Sequence, residues 1–299
     1  MILGSRPTAL WEEVQGACDL ARVQQALVAV PKPQELTLDG WSPLLYLCDN
    51  RSVAHAARAQ GISALLRAGV DANFVDENGW SALHLLCKNN SMNEGDSGDL
   101  STSMRHLVAA KASVNLATKD SKKTPLHLLC ENEAWSADAI DALLKARADV
   151  KAVDENRNTP LHYAAESHAA NEQILALLLA GKANPNVQNQ FQATPFHHLC
   201  QNSSVDVKML QTMLTYRADP NIINNIGNTP VHYLCANTNI SVAMLQAIVD
   251  SGKADLTILN SLHQGAFDCI PATKPDCIAY LEKYAPQEDD FDDPEEDQD

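Results

Sequence analysis

The chain has 299 residues, 45% of them apolar and 5% aromatic, and a net charge of −16. Nine of its acids fall in residues 286–299, so the other 285 residues carry a net charge of only −7. This balance leaves no basic face to neutralise phosphates, which argues against direct nucleic-acid binding, and the longest strongly apolar run, Ile174 to Ala180, is far short of a membrane span.

Residues Met1 to Arg6 lack the hydrophobic core of a signal peptide. A cytoplasmic protein is expected, with the nucleus as the alternative, and the eight cysteines are expected to be reduced thiols there. In chain order, residues 8–30 carry two helical stripes, first Leu10, Trp11 and Val14, then Leu20, Val23, Leu27 and Val30. A break near Gly16–Asp19 separates them, and Pro31 and Pro33 stop the second. Residues 1–39 are read as an N-terminal capping helix pair.

From residue 40 one phrase is rewritten again and again. Asn158-Thr159-Pro160-Leu161-His162-Tyr163 has close copies at Thr124-Pro125-Leu126-His127, Thr194-Pro195-Phe196-His197 and Thr229-Pro230-Val231-His232. Looser copies begin at Ser81 and Ser42, and a degenerate one at Gly265. The steps from Thr124 to Gly265 are 35, 35, 35 and 36 residues, and a fixed period in this range marks a stacked repeat array. Six units over 40–260, starting near 40, 79, 122, 157, 192 and 227, are followed by a capping repeat over 261–285.

Each unit opens with a turn rich in Asp, Asn and Gly, such as Val75-Asp76-Glu77-Asn78-Gly79. Ser or Thr follows as the N-cap and Pro takes the first helical position, where its missing N–H costs nothing. The first helix closes at a recurring Cys-x-Asn, as in Cys48-Asp49-Asn50 and Cys235-Ala236-Asn237. Asparagine tolerates the left-handed backbone that ends helices, so that geometry is expected there. A second, more apolar helix returns, and an extended exit leads to the next turn. Lys122, Arg157 and Gln192 stand where other turns have Gly, which is expected to alter the local turn geometry. Residues 90–101 form an insertion, expected to be a flexible surface loop. The acidic tail, with Glu288, Asp289, Asp290, Phe291, Asp292 and Asp293, cannot bury a core and is expected to be disordered.

His-x-x-Cys recurs at 84/87, 127/130, 197/200 and 232/235. Each pair shares a helix face, but a structural zinc needs four converging ligands, and helices stacked about 10 Å apart keep neighbouring pairs too distant. Thr124 and His127, Thr159 and His162, Thr194 and His197, and Thr229 and His232 are instead read as structural pairs in which the His bonds back to the cap. Four equivalent copies also oppose Cys–His catalysis, which needs one exposed, electropositive thiolate. No catalytic residue, metal or cofactor is expected, and Lys119, Lys122 and Lys123 read as one basic turn.

The Gly-x-Thr-Pro-Leu-His start, the two short helices and the Arg-Ala-Asp-x-Asn exit together resemble ankyrin repeats over about residues 10–284. The Cys-x-Asn helix end and the slightly longer period depart from that family's pattern. The resemblance implies an all-α, ankyrin-type helical solenoid, a non-enzymatic scaffold or adaptor that binds a protein on its concave side. A monomer is expected. Large apolar residues at the turns, Trp41, Phe74, Trp80, Phe191 and Ile226, are the candidate anchors. The alternative is a chaperone or inhibitor of a basic ribosomal or chromatin protein, with the acidic tail masking its positive charge.

Overall fold

A computed structural model describes residues 8–16, 18–30, 32–89, 97–132 and 137–284. The tail candidates from Glu288 to Asp293 lie outside the described residues. The chain divides into two compact units, residues 1–184 and 185–299. Among the described residues there are only helices, turns and two isolated bridges, Leu38 with Trp41 and Val75 with Ser81. No described helix is long and apolar enough to cross a membrane.

The first unit is a solenoid of helix pairs. α1 (Thr8–Gln15), α3 (Pro43–Asp49), α5 (Ala82–Lys88), α7 (Pro125–Glu131) and α9 (Pro160–Glu166) form the inner row. α2 (Leu20–Val28), α4 (His55–Arg67), α6 (Ser97–Ala109), α8 (Ala137–Lys145) and α10 (Glu172–Ala180) form the outer row. In the second unit α11 (Pro195–Gln201) packs on α13 (Pro230–Ala236), and α12 (Val207–Thr215) on α14 (Val242–Val249). A 3₁₀ turn at Phe267–Cys269 and α15 (Pro275–Leu281) complete it.

The inner helices are short because both ends are written into the sequence. Ser42 Oγ accepts the Leu45 N–H at 3.3 Å and Thr229 Oγ1 the His232 N–H at 3.4 Å, and Pro fills the first position of α3, α7, α9, α11 and α13. The apolar side chains between these ends, such as Leu126 and Leu129 or Phe196 and Leu199, are fully buried. Cys48, Cys87 and Cys130, like Ala165, are fully buried in equivalent slots, so what the slot requires is a small side chain that packs without voids.

Three expectations change. The closing asparagines are not left-handed: Asn50, Asn132, Asn202 and Asn237 have φ between −78° and −65° with extended ψ. Their amides do something else. Asn50 Nδ2 donates to the Val14 and Gly16 carbonyls at 3.1 and 3.0 Å. Asn132 Nδ2 donates to Cys87 and Lys88 at 3.0 Å each, and Asn237 Nδ2 to Cys200 and Asn202 at 3.0 and 2.9 Å. Each amide thus satisfies carbonyls left over at the end of the preceding inner helix. Its Oδ1 meanwhile accepts the N–H two residues on, at 2.9 Å in Asn50 and Asn237.

The second change concerns the turns without Gly. Lys122, Arg157 and Gln192 take φ of 56°, 62° and 58°, the same left-handed region as Gly79 and Gly227. The turn geometry is kept, at a steric cost of about 1–2 kcal/mol per residue. Gly227 has a further reason to be glycine, because a Cβ there would sit 2.8 Å from the Ser261 nitrogen. Third, residues 97–101 of the insertion are not loop but the start of α6; 90–96 lie outside the described residues.

Three stability outcomes are expected. Asn237→Ala leaves two carbonyls without their shared donor and should cost about 2–3 kcal/mol, read as a lower urea midpoint. Gly227→Ala combines the left-handed cost with backbone overlap and should lower the thermal midpoint, whereas Gln192→Gly, which relieves the same backbone, should raise it.

Candidate protein-binding surface

His84, His127, His197 and His232 are engaged on both ring nitrogens. Nδ1 of His127, His162, His197 and His232 accepts the backbone N–H of its N-cap threonine at 3.0–3.2 Å, which places the proton on Nε2. Nε2 then donates into the next repeat: His127 to the Asn158 carbonyl at 3.1 Å, His197 to Asn228 at 3.0 Å and His232 to Gln264 at 3.1 Å. His84 does the same toward Leu116 and Lys123 at 3.0 and 3.2 Å. Burial drives these imidazoles toward the neutral form, partly offset by their carbonyl partners. It pushes His84 and His197 down to about 4 and lowers His127 and His232.

The neighbouring thiols are equally unreactive. Burial pushes Cys48 up to about 12 and raises Cys87, Cys130, Cys200 and Cys235, so no nucleophilic thiolate forms near neutral pH. Among the described residues no three His, Cys, Asp or Glu side chains converge as metal ligands would. What these residues do chemically is hold one repeat to the next.

The turns form fingers, and five of them are each built on a buried side chain that accepts two backbone N–H groups, while in the 118–123 turn Thr118 Oγ1 accepts the Lys123 N–H at 3.2 Å. Asp76 Oδ1 takes Asn78 and Trp80 at 2.9 and 2.8 Å, and Asp154 Oδ1 takes Asn156 and Asn158 at 2.9 and 2.7 Å. In the second unit asparagine replaces aspartate. Asn189 holds Phe191 and Ala193, Asn224 holds Ile226 and Asn228, and Asn260 holds Leu262 and Gln264, all at 2.9–3.1 Å. Adjacent fingers are joined tip to tip. Asn225 N donates to the Phe191 carbonyl and Ser261 N to the Ile226 carbonyl, both at 3.1 Å.

The candidate anchors separate on this frame. Trp41 is half-buried against Tyr46, ring centres 5.3 Å apart. Trp80 lies 5.9 Å from the His84 ring with the Lys88 ammonium 4.5 Å over its own ring, and Phe74 is half-buried. All three belong to the first unit, and both tryptophans are engaged by side chains of the inner helix that follows. Phe191 and Ile226 are open, 53% and 50% exposed. The joined fingers of the second unit add three residues that the aromatic and turn-residue search missed: Ile223, Leu259 and Leu262, 48%, 56% and 75% exposed. Their signal was positional. Leu262 stands three residues before the cap position, where the first unit's tips have Asn78, Ser121 and Asn156. Ile223 and Leu259 stand six before it, where the first unit also has the exposed Val75 and Val153.

Beside Phe191 a notch of 260 Å³ opens between two fingers and the inner helices, with His198, Gln201, Asn225 and Tyr233 among its walls. Five exposed apolar side chains on hydrogen-bonded neighbouring turns, next to a notch, are the kind of patch that marks an interaction site.

Comparison with known proteins agrees with this architecture. A family model described as "Ankyrin repeats (3 copies)" matches residues 92–181 and 167–260. The ankyrin repeat domain of human ASB11 is similar in structure, with a TM-score of 0.65 and 22% identity, covering 83% of this chain and 100% of that one. The ankyrin repeat domain of Bcl-3, a member of the IkappaB protein family, gives a TM-score of 0.60 and 22% identity over 82% of this chain and 100% of that one. No curated protein sequence matched.

The histidines predict a pH dependence with a definite sign. Their pKa is lower folded than unfolded, so their contribution is complete above about pH 6.5 and is lost as pH falls toward 4. Stability should drop by up to about 1.4 kcal/mol per pH unit for each such histidine, measured as urea midpoints between pH 7.5 and 5. His197→Gln should flatten that slope by one proton's share.

Proposed function

The chain belongs to the ankyrin-repeat family, whose repeats generally mediate protein–protein interaction, and from that premise we propose that it is a non-enzymatic scaffold or adaptor whose partner docks on the fingers of the second unit. The observation that carries this reading is the apolar row Phe191, Ile226 and Leu262 on three successive fingertips, flanked by Ile223 and Leu259. Covering half of one such side chain contributes about 1 kcal/mol before the costs of association are met. The row therefore offers a partner several anchors on a frame stitched in place by backbone hydrogen bonds, and a preorganised frame spares ordering entropy on binding. Trp41 and Trp80 act in this reading as finger supports.

The test is quantitative capture by the full chain. Ile226→Asp with Leu262→Asp places charge on two exposed tips and should leave the fold intact. Partners retained by the wild type should lose at least about tenfold in affinity for this double variant, which is 1.4 kcal/mol. The matched control, Asn78→Asp with Asn156→Asp, puts the same two charges at the same finger position of the first unit and should retain them. Equal recovery by all three proteins would refute the site.

A further inference from the structure

The fingers and inner helices of the second unit carry no formal charge until Asp268, which follows the last finger and lines a hollow with Leu259. No Asp, Glu, Lys or Arg occurs in residues 185–205, 220–249 or 256–267, although 20% of the chain is charged. The charges of residues 185–267 lie elsewhere. Asp206 and Lys208 begin α12, and Arg217, Asp219, Asp250, Lys253 and Asp255 sit on the returns from α12 and α14 to the next finger.

The substitution reaches inside the fingers. The first unit uses Asp76 and Asp154 as the buried acceptor, and the second uses Asn189, Asn224 and Asn260 in the same hydrogen-bonding role. The Asp154 carboxylate receiving the Tyr163 hydroxyl at 2.6 Å becomes the Asn224 amide donating to the Tyr233 hydroxyl at 2.9 Å. Tips that read Glu77, Asp120 and Glu155 in the first unit read Gln190, Asn225 and Ser261 in the second.

We infer that the second unit's fingers bind an uncharged, apolar segment of another protein, with one large side chain seated in the notch between Phe191 and Tyr233. This rests on the docking site proposed above and names the chemistry of its occupant. A partner charge brought against the Phe191 and Ile226 fingers would lose hydration and find no opposite charge to pair with. An apolar side chain loses nothing by the same move, and the exposed amides of Gln201 and Asn225 remain to meet a partner's backbone groups. The occupant is another protein because copies of this chain, each with a net charge of −16, repel one another.

The probe is a phage-displayed library of random dodecapeptides panned on the full chain, with selected peptides resynthesised and titrated at about 50 and about 500 mM NaCl. The expected peptides lose at least about tenfold in affinity for Ile226→Asp with Leu262→Asp. They carry large apolar residues without a required Lys, Arg, Asp or Glu, and bind within about twofold at both salt levels. Peptides that need the fingers but require a charge, or weaken about tenfold with salt, would overturn the inference and leave the docking site standing. Peptides indifferent to the finger variant would overturn the docking site itself. An empty selection counts against the inference, as does a wild-type dimer in sedimentation that the finger variant disperses, which would make the occupant a second copy.

Discussion

In the repeats of His84, His127, His197 and His232 one imidazole ties local structure to stacking. Its Nδ1 completes the N-cap of its own helix, and its Nε2–H reaches a carbonyl of the next repeat at about 3 Å. A glutamate in the same place could accept the cap N–H, but at neutral pH it has no proton to pass onward. The helix therefore starts correctly and joins its neighbour through the same side chain. Burial keeps that side chain neutral, which is the state in which both bonds exist together.

Two further seams run beside the histidines. The Cys-x-Asn helix ends place an amide on the carbonyls of the preceding repeat, while the small buried cysteine leaves room for close approach. At the other edge, fingertip N–H groups of one turn meet the carbonyl of the turn before, as in Lys119 to Asn78 and Asn225 to Phe191. All three seams run through backbone atoms or through side chains that recur. The residues at the fingertips are thus relieved of structural duty, and their chemistry can differ from one unit to the other.

That freedom is used unevenly. Aspartate and asparagine both offer an Oδ1 to the same two N–H groups, so the finger keeps its shape when the charge is removed. In the first unit the fingers keep their carboxylates, and Trp41 and Trp80 are held by ring and ammonium contacts. In the second the carboxylates are gone and the apolar tips stand in solvent. Uncharged fingers with open apolar groups are costly to leave in water, and covering them would be the physical motive for the association proposed.

The repeat period, the N-caps at Ser42, Ser81, Thr124, Thr159, Thr194 and Thr229, and the proline starts were readable from the chain alone, because they depend on residues a few positions apart. So was the bond from each threonine cap to the histidine three residues on, for the same reason. The tertiary structure decided matters that depend on a neighbouring repeat. It gave the helix-end asparagines an amide role some 35 residues back, and it kept Gln192 left-handed in a turn that glycine usually occupies. It also separated Trp41 and Trp80, covered by adjacent side chains, from Phe191, Ile226 and Leu262, which are not. Exposure is a property of what packs alongside, and no local pattern carries it.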